Sequence, residues 1–129
     1  MTRQNVSSGG PWEETIGYSR AVRVGNFVAV AGTTAAQPDG TIFGSDDGYL
    51  QAKRCFEIIE RALAEAGAEL TDVVRTRMFV TDISRSEEFG RAHGEYFREI
   101  KPAATMVEVA RLLTPEMLIE IEVDAVVGG

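Results

Sequence analysis

The sequence predicts an α+β domain of order β-β-α-β-α-β-β, a mixed sheet with two helices packed on one of its faces. Three observations carry this prediction. Two segments repeat apolar residues at three- and four-residue spacing, several others alternate apolar and polar residues at spacing two, and each kind has a single apolar side. Elements of that kind bury their apolar sides most simply as one helical layer against one sheet face. The other sheet face, or a sheet edge, is then a natural contact between copies of the chain.

Residues 1–15, "MTRQNVSSGGPWEET", are polar, rich in Gly and Ser and punctuated by Pro11. They read as a flexible arm ahead of a single domain over 16–129. "YSRAVRV" and "FVAVAGTT" are β-prone runs split by Gly25-Asn26, two residues that tolerate the positive φ of a tight hairpin turn. "AAQPDGTIFGSDDG" is dense in Gly, Pro and Asp and reads as a long loop. A helix is predicted over 49–67, where Ala52, Cys55, Phe56, Ile59, Ala62, Leu63 and Ala66 form one apolar stripe. Asp46 and Asp47 supply its start signal and Gly67 its stop.

"DVVRTRMFVTD" alternates and is rich in β-branched residues, as a strand should be. Ser84 or Ser86 can cap a second helix, "EEFGRAHGEYFREI", whose apolar face is Phe89, His93, Tyr96, Phe97 and Ile100 and which Pro102 ends. The segment "KPAATMVEVARLLTPEMLIEIEVDAVV" reads as two strands joined by a short turn. In its second half Ile119, Ile121, Val123, Ala125 and Val127 point one way and Glu120, Glu122, Asp124 and Val126 the other.

Composition bounds the function. The net charge is −7, from 20 acids against 13 Lys and Arg, and such a field repels phosphate backbones, which disfavours nucleic acid as a partner. Cys55 is the only cysteine, so no intrachain disulfide can form, in keeping with a reducing compartment. With His93 as the only histidine, a thiolate–imidazole zinc cluster is excluded, and "GSDDG" lacks the further ligands of a calcium loop. No metal and no cofactor is expected. The first residues hold no apolar run of the signal-peptide kind, and nothing approaches the ~20 apolar residues of a membrane span. A cytoplasmic protein is the expectation.

Spacing alone makes "EIEVD" a solvated strand face, whose crowded acids call for a basic partner such as Arg75 or Arg77 on a neighbouring strand. His93 lies on an apolar helix face, where a hydrogen-bonded core role and a cleft-lining role both stand. Cys55, Met78, Met106 and Met117 read as packing residues. Gly32-Thr33 ends a strand, either as a plain turn or as a place where free amides meet an anion.

Four stretches carry a resemblance: "AVRVGNFVAVAGTT", "ALAEAGAELTDVVRTRMFVTDI", "GEYFREIKPAATMVEVARL" and "EMLIEIEVDA". Together they resemble the Rid proteins, the YjgF/RidA reactive-intermediate deaminases, some of which carry the name endoribonuclease. The resemblance implies a chorismate-mutase-like fold and a homotrimer whose sheets form an inner barrel, with a small-molecule ligand in each inter-subunit cleft. It implies Glu120 as the acid that positions or activates water, and Tyr18, Gly32, Thr33, His93, Ala104 and Met106 as cleft residues. At position 104 the better-known members carry an arginine that grips a substrate carboxylate with two parallel hydrogen bonds, which a methyl group cannot do. The expected function is therefore a deaminase-type hydrolase acting on an imine, an enamine or a related C–N bond, and not a standard 2-imino acid deaminase. A noncatalytic metabolite-sensing or partner protein is the alternative, and RNA cleavage ranks last. His93 or a nearby cation is expected to replace the missing guanidinium.

Overall fold

The computed structural model describes residues 2–128. Six strands, β1 (Arg3–Val6), β2 (Ala21–Val24), β3 (Phe27–Thr33), β4 (Val73–Val80), β5 (Ala103–Glu108) and β6 (Ile119–Val126), form one sheet in the order β1-β2-β3-β6-β4-β5. Helices α1 (Gly48–Glu65) and α2 (Ser86–Phe97) cover one face. Among the described residues only the β4–β5 pair is parallel.

The apolar stripes do what their spacing dictates. All seven stripe residues, six in α1 and Ala66 just past its end, are at most 3% exposed, and Phe89 and Phe97 of α2 at most 2%. Against them lie Ile119, Ile121, Val123 and Ala125 of β6, each wholly buried. The carboxylate of Asp47 accepts from Leu50 N–H at 3.0 Å and so caps α1. Gly67, at φ +79, takes the left-handed conformation that stops the helix. β2 and β3 form the expected hairpin, with Gly25 at φ +62 in its turn.

The chain departs from expectation in three places. The first strand, β1, lies within the segment read as a flexible arm. It pairs antiparallel with β2, from Arg3 opposite Val24 to Val6 opposite Ala21. The edge of β2 offers a row of backbone groups to any passing segment, so pairing there needs little apolar content; of the strand only Val6 is buried. The side chain of Gln4 also donates to Glu65 O at 2.9 Å, fastening the strand to the end of α1.

The cap of α2 is neither Ser84 nor Ser86. A short 3₁₀ turn, Ile83–Arg85, runs straight into the helix, and the Asp82 carboxylate caps that turn by accepting from Ser84 N–H at 3.0 Å. Glu88 then ties the two helix starts together, accepting from Gly48 N–H at 2.9 Å while Arg85 Nε donates to it at 2.9 Å.

The last two strands are not joined by a short turn. Residues 109–118 separate β5 from β6, and β4 lies between the two in the sheet. Gln51, fully buried on α1, holds this connection by donating to Gly44 O at 3.1 Å and Glu116 O at 3.0 Å and accepting from Leu118 N–H at 2.9 Å.

Candidate functional site

With both helices on one face, the other face carries the even-numbered residues of β6. There the crowded acids find the partners their charge demands. Arg77 Nη1 lies 3.3 Å from a Glu122 oxygen and 3.2 Å from an Asp124 oxygen, and Arg75 Nε approaches Asp124 at 4.0 Å. Both arginines stand on β4 directly opposite these acids. A groove of about 700 Å³ crosses the same face beneath the segment 13–19, lined by Tyr18, Val22, Ala29, Ala31, Glu122 and Asp124 among others. Glu120 is not part of its lining.

Glu120 is set apart from the other acids. No arginine pairs with it among the described residues, and burial pushes its carboxyl above the ordinary value; the Arg20 charge pulls it back by less, and Glu122 adds to the rise. Its side chain lies over the backbone of Gly32. The register of β3 against β6 slips between Val30 and Thr33, a bulge that brings Gly32 under this side chain. A Cβ at position 32 would stand 3.0 Å from the Glu120 carboxyl carbon, 3.3 Å from its Cγ, and overlap a carboxylate oxygen. Glycine is needed here for the close approach, not for a positive φ.

Arg20, which sequence reasoning did not single out, belongs to the same cluster. Its Nη2 donates to Gly32 O at 2.6 Å, and its guanidinium lies 6.0 Å from the centre of the Tyr18 ring. Its backbone continues the β2–β3 pairing, since Ala31 N–H donates to Arg20 O at 3.0 Å. Tyr18, Arg20, Gly32 and Glu120 therefore form one connected group. Arg20 lies at the bend just before β2, and no local pattern in the sequence marked it.

The remaining candidates lie elsewhere. Thr33 is 1% exposed and its hydroxyl donates to Ala31 O at 2.8 Å, so it is turned into the core. His93 is wedged between the helices and the sheet, its Nε2 2.8 Å from Thr76 Oγ1 and its ring 4.9 Å from that of Phe97. Burial lowers its pKa, so it is neutral at pH 7 and supplies no cation. Ala104 and Met106 on β5 pair with Thr76 and Met78 of β4. Residues paired side by side point to one face, so these two share the helix side of the sheet with His93. One chain thus carries two groups: Tyr18, Arg20, Gly32 and Glu120, and, two strands away on the opposite face, His93, Ala104 and Met106.

Residues 12–127 match the family model described as Endoribonuclease L-PSP. The chain belongs to this family. Among solved structures, that of Rv2704 from Mycobacterium tuberculosis, a member of the YjgF/YER057c/UK114 family, is 49% identical with a TM-score of 0.89, covering 98% of this chain and 100% of that one. Yeast Mmf1 is 31% identical with a TM-score of 0.84, covering 97% and 98% of the two chains. The RutC family protein PYRAB12510 of Pyrococcus abyssi is 41% identical over 81% of this chain and 82% of its own. The Rid/YjgF membership and the mixed sheet with two helices on one face, both expected from the sequence, are borne out. Among the described residues no helix is long and apolar enough to cross a membrane.

The close approach at position 32 is directly testable. Gly32→Ala should cost about 1 kcal/mol, the low end for an added methyl, because the obstructing atoms belong to a side chain that can swing away. The displaced Glu120 should then titrate closer to an ordinary glutamate. Denaturant midpoints and an NMR titration of the carboxyl carbon measure the two effects. A Glu120 pKa left where it was would show that the side chain does not rest on Gly32.

Proposed function

We propose that this Rid-family chain works as a homotrimer with a small metabolite in each inter-subunit cleft, and that Glu120 there activates water for hydrolysis of an imine, an enamine or a related C–N bond. The observation that carries this reading is Glu120 itself: a half-buried carboxyl with a raised pKa, seated on a glycine whose added Cβ it would overlap. The arrangement fits the trimer that the family resemblance implies: Ala104 and Met106 lie on the opposite face of one chain from Glu120, so a cleft shared by all three needs a second copy. Exposed Trp12, Ile16, Tyr18 and Phe27 offer apolar surface for such a contact.

The chemistry follows from an ionised carboxylate beside a bound imine. Glu120 takes a proton from water as the water oxygen bonds to the imine carbon, and the C=N pair moves to nitrogen. The carboxyl passes that water proton to the nitrogen to complete the carbinolamine; the carboxylate then takes the hydroxyl proton as the carbonyl forms and the C–N bond breaks, and hands it to the departing nitrogen, which leaves as ammonia. With alanine at position 104, the substrate is neutral or is held by some other cation, so a standard 2-imino acid gripped at that position is not the substrate. The cytoplasm, where metabolic imines arise, is the compartment this reading fits.

The alternative is a noncatalytic metabolite-sensing or partner protein using the same cleft. RNA cleavage is disfavoured by the net charge of −7 and by a single histidine hydrogen-bonded to Thr76. Ammonia release from a panel of freshly generated imines separates these readings. Release well above the uncatalysed background, falling off as pH drops through the raised Glu120 pKa, is the expected result. Background rates across the panel, with ligand binding intact, would leave only the sensing role.

A further inference from the structure

We propose that Arg20 is the anion-holding residue of this cleft: its guanidinium, fixed beside Tyr18 by the Gly32 carbonyl, takes the carboxylate of a small 2-oxo or imino compound that Ala104 has no charge to hold. The inference rests on the Glu120 cleft described above and deepens it by naming the anchor.

Three observations lead here. The first is an orphaned donor. Arg20 Nε is buried and has no hydrogen-bond partner, and the guanidinium makes no ion pair among the described residues. The charge of Arg20 is therefore not spent on any acidic side chain of the protein, and a buried charged donor without a partner is a cost that asks for a reason. The second is orientation. The 2.6 Å bond from Nη2 to Gly32 O and the Tyr18 ring at 6.0 Å hold the guanidinium plane in place, and a planar fork already fixed loses little freedom when it meets a second planar group. The third is proximity without pairing. The Arg20 charge is felt by Glu120, yet the two side chains do not join. A small acid seated on Arg20 would therefore bring its α-carbon into the neighbourhood of Glu120, whose backbone platform, Gly32, is the residue that fixes Arg20. One glycine thus places both the cation and the carboxylate.

The two β4 arginines of this face and the lone histidine fail the same test. Arg77 and Arg75 are occupied by Glu122 and Asp124, and His93 is neutral and turned toward Thr76 on the helix side. Arg20 is unlike them in being close to Glu120, held, and unpaired.

The test is calorimetric titration of the full-length protein with two probes, 2-oxobutyrate and its uncharged analogue 2-butanone. Wild type, Arg20→Gln, Arg20→Lys and Glu120→Gln are compared after their folding and solution mass are checked. Wild type should prefer the acid. Arg20→Gln should weaken 2-oxobutyrate by about 10- to 100-fold, the range for a lost charge-assisted hydrogen bond, and leave the ketone unchanged. Arg20→Lys, which keeps the charge but not the fork, should fall between, and Glu120→Gln should retain the acid. Equal affinity of wild type and Arg20→Gln for the acid, or equal weakening of both probes, would overturn the proposal in favour of a structural role. So would a wild type that ignores the acid, even if ammonia release proceeds. If no imine is hydrolysed yet acid binding depends on Arg20, the anchor stands and the hydrolase reading falls.

Discussion

Glu120→Gln should lower any ammonia release by about 10² to 10⁴-fold, the usual contribution of a positioned general base. The amide keeps the shape of the side chain and its seat on Gly32, but it cannot take a proton from water. The ligand should bind nearly as before, so the loss falls on kcat. A second consequence concerns stability, and its sign is opposite. Burial raises the Glu120 pKa in the folded protein, with Arg20 lowering it by less and Glu122 raising it further. A carboxyl whose folded pKa lies above its unfolded one favours folding while protonated, and that contribution disappears as pH rises through the folded value. At pH 7 the folded protein holds a half-buried charge at a cost, which the amide does not incur. Glu120→Gln should therefore be the more stable protein at neutral pH, with the difference vanishing below the ordinary glutamate value near 4.5. An inactive variant that is also less stable at pH 7 would contradict this account, since the carboxylate would then be holding the fold together instead of straining it.

This opposition between activity and stability also explains what could be read from the chain beforehand. Periodicity reports burial, and burial decides most of the fold: the stripe from Ala52 to Ala66 and the alternation from Ile119 to Val126 were legible because every second, third or fourth residue had to leave water. The position of each strand in the sheet was not. β6 sits between β3 and β4, and β4 lies between the two C-terminal strands, an order set by pairings between distant segments that leave no local mark. β1 escaped notice because an edge strand held by backbone bonds and one buried valine shows no alternation. The same reason hid Arg20. The resemblance to the Rid proteins marked Glu120, Tyr18 and Gly32 one by one, but what joins them is a bulge between Val30 and Thr33 and a backbone carbonyl, neither of which has a residue signature. His93 was legible as a helix-face residue, and the structure gives it the hydrogen-bonded core role, with Thr76 as its partner.

The helical layer that makes the open face possible depends on Phe56, and Phe56→Ala should cost about 3–5 kcal/mol. The ring is wholly buried on α1, where it meets Phe97 at 5.4 Å, His93 at 5.8 Å and Tyr96 at 5.1 Å between ring centres. Its contacts with Phe97 and His93 are edge-to-face, an arrangement that adds to the simple burial of area. Truncation removes these contacts and opens a cavity between α1, α2 and the sheet. Against a typical total of about 5–15 kcal/mol, a loss of that size should lower the melting temperature by roughly 10–20 °C. A local reporter distinguishes a cavity from general loosening. His93 owes its low pKa to burial alone, so water entering beside it should raise that pKa toward 6.5 while the Glu120 side, across the sheet, keeps its own titration. A loss under about 1 kcal/mol would mean that the layer closes over the gap, and that the helices are held to the sheet by the aliphatic stripe rather than by the aromatic cluster.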